Sequence, residues 1–366
     1  MNTKPQFHGS DLEKIESYYH VSRENIVGFG ANVNPLGISP RIRNEVAQHL
    51  DAISRYPDRD YTKLRDAISQ YTGANAEHIM VGNGCTELIS LFLKTLHPEH
   101  TLILGPTYSE YERALRQIGA SCDYYVLSQE NDFRICIEDF CNTITEDTDL
   151  VVICNPNNPT SSAIKAEKMK ILLEHCSKHH VFVLIDETYA EFAPLETPVS
   201  AIPLTDAYEN LMILRGTSKF FAAPGLRLGY GISKNQEILS TMKEKQDPWS
   251  TNSLAEVAGC VMFTDTDYIQ KTRQLIHDER EKMISVLSSW NTVKVYPAMA
   301  NFILVEILKP GLTSDMVFEH CIKKGLMIRD CSTFEGLHGE FFRFCIMLPE
   351  DNDRLLQTLE EILVSS

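Results

Sequence analysis

Short apolar runs and longer stretches of helical periodicity alternate along the first two-thirds of the chain. HIMVG (78–82), TLILG (101–105), DLVVIC (149–154), VFVLIDE (181–187), LMILRG (211–216) and LGYGI (228–232) are apolar at nearly every position. A strand with one wet face alternates apolar and polar residues, whereas an unbroken apolar run suits a strand buried on both faces. Between these runs, TELISLFLKTL (86–96), YSEYERALRQIG (108–119) and a stretch over 165–179 repeat apolar residues at helical spacing. The alternation predicts an α/β fold with a mostly parallel sheet covered by helices. After about residue 250 the pattern changes. A long helical stretch (253–289) precedes a strand (301–307), a helix (315–324), a strand at 326–329, the run FFRFCIM (341–347) and a closing helix (351–364). That order reads as a second, smaller α+β domain at the C-terminus.

Bulk properties narrow the class of protein. A length of 366 residues fits two packed units. No apolar run approaches the ~20 residues that span a bilayer, and MNTKPQFHGSDLEK has no stretch like a secretion signal; the expected location is the cytoplasm. Fifty acidic residues against 34 basic give a net charge of −16, which argues against nucleic acid or an anionic membrane as partner. A few arginines still make a local positive site for a small anion. Ten cysteines at irregular spacing, with no CxxC, read as reduced thiols rather than disulfides or a zinc site. His175 and His179, four apart on a helix, lack an evident third ligand, so no metal is expected.

Five unusual sequences fall where strands end, and ligands of open parallel sheets bind beyond the carboxyl ends of the strands. Gly82-Asn83-Gly84-Cys85-Thr86 is a close-approach turn into a helix N-terminus, suited to a phosphate; a turn capped by Thr86 is the alternative. Asn155-Pro156-Asn157-Asn158-Pro159-Thr160 is a polar turn with an Asn amide available to a cleft. Asp186 ends an apolar run, either as a helix N-cap or as a buried carboxylate for a pyridine nitrogen, with Tyr189 three residues on. Ser218-Lys219 follows another strand, a setting that lowers an amine's pKa for imine formation. Arg227, in Pro224-Gly225-Leu226-Arg227-Leu228-Gly229, supplies a guanidinium fork for phosphate. A solvated lysine or a plain turn accounts for any one of these. Together they specify pyridoxal 5'-phosphate.

The run from Ser218 to Gly229 resembles the Schiff-base signature of the fold-type-I aminotransferase superfamily, class I/II, and the resemblance covers essentially the whole chain. It implies that Lys219 carries the cofactor, Asp186 pairs with the ring nitrogen, Asn158 and Tyr189 bond the ring hydroxyl, and Tyr108 stacks on the ring. Gly84, Cys85 and Thr86, with Ser218 and Arg227, would hold the phosphate, and Arg343 the substrate carboxylate. It also implies an N-terminal arm (1–35), a large cofactor-binding domain (36–250), a small domain (251–366), and a homodimer with shared active sites.

Within the superfamily the chain is most similar to threonine-phosphate decarboxylases and histidinol-phosphate aminotransferases. His8-Gly9-Ser10, Gly30-Ala31-Asn32-Val33-Asn34-Pro35-Leu36-Gly37, Arg55-Tyr56-Pro57-Asp58, Gln246-Asp247-Pro248-Trp249-Ser250 and Ile328-Arg329-Asp330-Cys331 match the decarboxylases. On that resemblance His8, Asn32, Tyr56, Arg329 and Arg343 bind a small phosphorylated amino acid, with Tyr56 reaching the neighbouring subunit's site. Gly216, Ser161 and Met347 depart from the pattern, where relatives carry a hydroxyl, a glycine and, in some decarboxylases, an arginine. The expected activity is decarboxylation of a substrate such as threonine phosphate, with transamination as the alternative. A non-catalytic regulator, the remaining alternative, lacks the expected basic N-terminal extension.

Overall fold

The computed structural model describes Phe7, Gly9 and residues 11–364. Seven strands form the main sheet: β1 (Ile79–Gly82), β2 (His100–Gly105), β3 (Ser121–Val126), β4 (Leu150–Cys154), β5 (Phe182–Asp186), β6 (Leu211–Gly216) and β7 (Gly229–Ile232). Their spatial order is β1-β7-β6-β5-β4-β2-β3. β7 alone runs against its neighbours, β1 and β6. β4 and β6 are buried at every residue and β5 at all but Phe182, the consequence of helices flanking the sheet. The ladder sets Cys154 opposite Asp186, and Asp186 opposite Leu214. The loops after β4, β5 and β6 therefore leave the sheet side by side.

A second sheet contains β8 (Val293–Val295), β9 (Phe302–Ile307), β10 (Arg329–Asp330) and β11 (Phe341–Cys345), ordered β10-β11-β9-β8 and antiparallel throughout. The helices Thr266–Ser288 and Ser314–Ile322 pack against it, and Pro349–Leu363 packs on both helices. Phe7 lies on Tyr18, Tyr19 and Phe318 with ring centroids 5.8, 5.9 and 6.2 Å apart.

The sequence pattern errs in identifiable places. β3 was not expected: its residues SCDYYV are half-exposed on an edge strand and lack an apolar run. β8 has only three residues. The expected helix over 253–289 is two helices, Ser253–Met262 and Thr266–Ser288. Asp265 breaks it by accepting the Tyr268 N–H at 3.3 Å, an N-cap inside a continuous periodic pattern. The strand expected over 326–329 is shorter: Leu326 makes one bridge to Val27, and the ladder with β11 starts at Arg329.

Ser161 joins the two sheets. It sits at φ 60°, a conformation glycine adopts more easily, yet its hydroxyl has a use that glycine lacks. The Oγ accepts from the N–H groups of Met299 and Ala300 at 3.2 and 2.9 Å. Buried Arg280 adds a second tie, donating to the carbonyls of Phe192 and Ala300 at 3.2 and 3.1 Å. Ser161→Ala keeps the backbone and strips the Ala300 N–H of its acceptor, so stability should fall by about 1–3 kcal/mol. Urea unfolding should show a lower midpoint at unchanged slope; an unaltered midpoint would show the bond to be dispensable.

Candidate active site

A cavity of about 910 Å³ opens at the carboxyl ends of β4, β5 and β6. Its floor is the turn from β1 into the helix Cys85–Leu96. Gly84 caps this helix with φ 82° and provides no side-chain acceptor, so Thr86 is not the cap. A Cβ on Gly84 would lie 2.5 Å from the Arg227 guanidinium, and one on Gly229 would lie 2.7 Å from the Cys85 nitrogen. Both positions admit only glycine, and the close approach sets Arg227 above an uncapped helix N-terminus. That arrangement suits a phosphate. Thr86, Cys85 and Ser218 line the same end. A side chain at Gly216 would meet the Cys85 sulfur at 2.9 Å, so the thiol occupies the space that a hydroxyl-bearing residue would need there.

Glu87 braces this floor from below. Its carboxylate accepts from the Asn83 N–H at 2.7 Å, and from Gln246 Nε2 and Ser250 Oγ at 3.1 Å each. The Gln246–Ser250 motif thus clasps the cradle helix from outside the cavity.

Asp186 forms one wall. Buried at the end of β5, its Oδ1 accepts from the Thr188 N–H and hydroxyl at 2.9 and 2.5 Å, and its Oδ2 from the Tyr111 hydroxyl at 2.8 Å. Asp186 is not a helix N-cap, since Tyr189 caps the short helix Ala190–Phe192; its carboxylate closes a local turn and lines the cavity. Tyr108 lines the opening, its ring 5.6 Å from Tyr111 at 85°. Of the three asparagines after β4, Asn155 and Asn157 brace the turn through backbone carbonyls. Asn158 alone reaches the cavity, where its Oδ1 accepts from Arg343.

Lys219 donates to the Ala31 carbonyl at 2.7 Å. Burial first, and the Arg343 charge second, lower its pKa to about 8. The Asn32–Asn34 segment positions both. Asn34 reaches the Phe220 carbonyl at 2.8 Å, and its backbone N–H bonds the Lys219 carbonyl at 3.0 Å. Asn32 donates to the Tyr189 hydroxyl at 3.2 Å. Burial keeps Tyr189 protonated well above its ordinary pKa.

Arg329 and Arg343 are paired across β10 and β11. Arg343 donates to the Gly30 carbonyl at 2.8 Å and to Asn158, and lies 5.0 Å from the Phe302 ring. Its buried Nε has no partner among the described residues. Arg329 donates to the Phe7 carbonyl and to Thr333 Oγ1 at 3.0 Å, and burial lowers its pKa. No ion pair joins either to a carboxylate among the described residues, although the charges of Asp330 and Asp11 offset part of that on Arg329, and both guanidiniums face one cavity.

The cavity thus gathers Gly84, Cys85, Thr86, Tyr108, Asn158, Asp186, Tyr189, Ser218, Lys219 and Arg227, together with Asn32, Arg329 and Arg343. Tyr56 is apart from it, 78% exposed and stacked on Trp249 at 4.5 Å. His8 lies outside the described residues. Met347 does not line the cavity. Tyr111 and Thr188, which hold Asp186, were missed. The helix expected from residue 108 starts at Glu110, so Tyr108 precedes it and Tyr111 lies in its first turn, and no local pattern there signals the contact with Asp186. Among the described residues no cluster of His, Cys, Asp or Glu could hold a metal ion, and no helix is long and apolar enough to cross a membrane.

Residues 24–359 match the model of the family "Aminotransferase class I and II", and the chain belongs to that family. Its cofactor is pyridoxal phosphate, and it is an enzyme. A Caldanaerobacter subterraneus subsp. tengcongensis protein provisionally named threonine-phosphate decarboxylase is 38% identical, over 95% of this chain and 94% of its own length. The threonine-phosphate decarboxylase of Salmonella typhimurium strain LT2 is 30% identical, over 97% and 96%. Among solved structures, the histidinol-phosphate aminotransferase of Clostridium acetobutylicum is 33% identical with a TM-score of 0.85, covering 91% of this chain and 98% of its own.

The residues present fit the cofactor: an uncapped helix end under an arginine for the phosphate, a buried carboxylate for the ring nitrogen, and an amine of depressed pKa. With the Lys219 pKa at about 8, roughly a tenth of the amine is neutral at pH 7. Uptake of pyridoxal phosphate by the apo-chain should speed up about tenfold per pH unit below that value and level off above it. Arg343→Gln removes a neighbouring positive charge, favours the ammonium, and should move the shoulder to higher pH. Stopped-flow absorbance reads both; a shoulder unmoved by the substitution would refute the coupling.

Proposed function

We propose that this enzyme decarboxylates a small phosphorylated amino acid, threonine phosphate being the test substrate. The observation that carries this reading is the cross-strand pair Arg329 and Arg343, two guanidiniums in one cavity that no ion pair joins to a carboxylate among the described residues. Arginine forks match phosphate geometry, and a dianion balances both charges. Of the other arginines lining the cavity, Arg113 and Arg116 are already paired with Glu110 and Glu112. Arg227 belongs to the cradle.

Gly84, Cys85, Thr86, Ser218 and Arg227 would hold the cofactor phosphate, Asp186 the ring nitrogen, and Asn158 and Tyr189 the ring hydroxyl, with Tyr108 over the ring and Lys219 at the carbonyl carbon. When bound, pyridoxal phosphate supplies an electron sink, and the substrate bond perpendicular to its ring is the one that breaks. With Arg329 and Arg343 engaged by the side-chain phosphate, no arginine holds the α-carboxylate in the ring plane. The α-carboxylate would then be free to turn out of that plane, the orientation from which CO2 is lost. Lys219, as the ammonium, would be the group that supplies a proton to the α-carbon.

Transamination is the second reading, favoured by the Lys219 pKa of about 8, which suits removal of an α-proton. Holoenzyme given threonine phosphate should release CO2 without forming a 2-oxo acid. Accumulation of pyridoxamine phosphate with a 2-oxo acid product would sink the decarboxylase reading. Arg329→Gln should raise KM tenfold or more, since hydrogen bonds to charged groups contribute about 1.5–3 kcal/mol.

The working unit in this reading is a cytoplasmic homodimer. Leu50, Ile53, Tyr56 and Trp249 are exposed apolar residues, and Tyr56 has no role in its own chain's cavity. All ten cysteines are free, as in a reducing compartment. Sedimentation should give twice the chain mass, and Tyr56→Ala should raise KM; a fully active monomer would contradict the shared site.

A further inference from the structure

The Asp186 carboxylate carries three hydrogen bonds, and two of them come from its own turn through Thr188. The third comes from the Tyr111 hydroxyl on the helix Glu110–Gln117, 75 positions earlier, and reaches Oδ2 at 2.8 Å. Tyr111 is 1% exposed. Burial, and then the charge of Asp186, hold its pKa well above the ordinary value, so the hydroxyl remains a donor across the working pH range. Its ring also supports Tyr108 edge to face.

All three donors are neutral. A cationic partner would cancel the carboxylate's charge; neutral donors fix its orientation and leave that charge available to a ligand. We propose that Tyr111 is a positioning residue that, through Oδ2, aims the Asp186 carboxylate at the ring nitrogen of pyridoxal phosphate. The proposal rests on the assignment of Asp186 to that nitrogen and is independent of which substrate bond breaks.

The test uses holoenzyme loaded with pyridoxal phosphate carrying 15N in the ring, with no substrate present. The ring-nitrogen resonance reports its proton directly, and titration of the apo-chain gives the cofactor Kd. In Tyr111→Phe the resonance should move beyond the wild-type linewidth and the Kd should rise roughly tenfold, the scale of one hydrogen bond to a charged group. Tyr111→Met, which fills the space without a donor, should move the resonance in the same direction and serves if the first variant does not fold. Asp186→Asn is the control. If it leaves the resonance in place, the Asp186 assignment fails. If it moves the resonance while both Tyr111 variants keep the wild-type resonance and Kd and lose only thermal stability, Tyr111 is a packing residue and the proposal is overturned.

Discussion

The parallel ladder through β4, β5 and β6 is the constraint on which the site depends. Parallel pairing in register forces three strands to end along one line. Cys154 therefore faces Asp186, and the turn carrying Asn158, the turn carrying Tyr189 and the loop carrying Lys219 emerge together. The reversed strand β7 returns against β6 and passes so close to the cradle helix that its first residue must be glycine. Phosphate floor, carboxylate wall and amine are set by backbone pairing before any side chain chooses a rotamer.

What was legible in the sequence follows from how each contact is encoded. Strands buried on both faces write continuous apolar runs, so six of the main sheet's strands could be read, while the half-wet edge strand Ser121–Val126 could not. Chemistry next to a strand end was also legible, because Asp186 and Lys219 each interrupt an apolar or small-residue context. Contacts made between distant segments leave no local trace. Nothing near Tyr111 announces Asp186, and nothing near Glu87 announces Gln246, 159 positions away. The break at Asp265 escaped for another reason: a capping aspartate inside a periodic pattern looks like any exposed polar residue.

Charge distribution resolves an apparent conflict. A chain of net charge −16 concentrates Arg227, Arg329, Arg343 and Lys219 around one cavity. The overall excess of acid repels polyanions, while the cations gathered at the cavity draw in a small one. Arg343 shows what this concentration demands of the fold. It is held by a carbonyl, an amide oxygen and an aromatic face rather than by a carboxylate, so its charge stays uncancelled for the ligand.

The two halves of the site stand on different sheets. The residues proposed for the cofactor hang from the first sheet, and Arg329 and Arg343 from a short antiparallel pair in the second. Inheritance can act on these halves separately. Substitutions in β10, β11 and the loop between them would alter which amine is recognised while leaving the cradle and Asp186 in place, Arg343 being a position that also reaches Lys219. A lineage can thus exchange one metabolic role for another and keep its catalytic engine, which accounts for decarboxylases and aminotransferases standing side by side among the relatives of this chain.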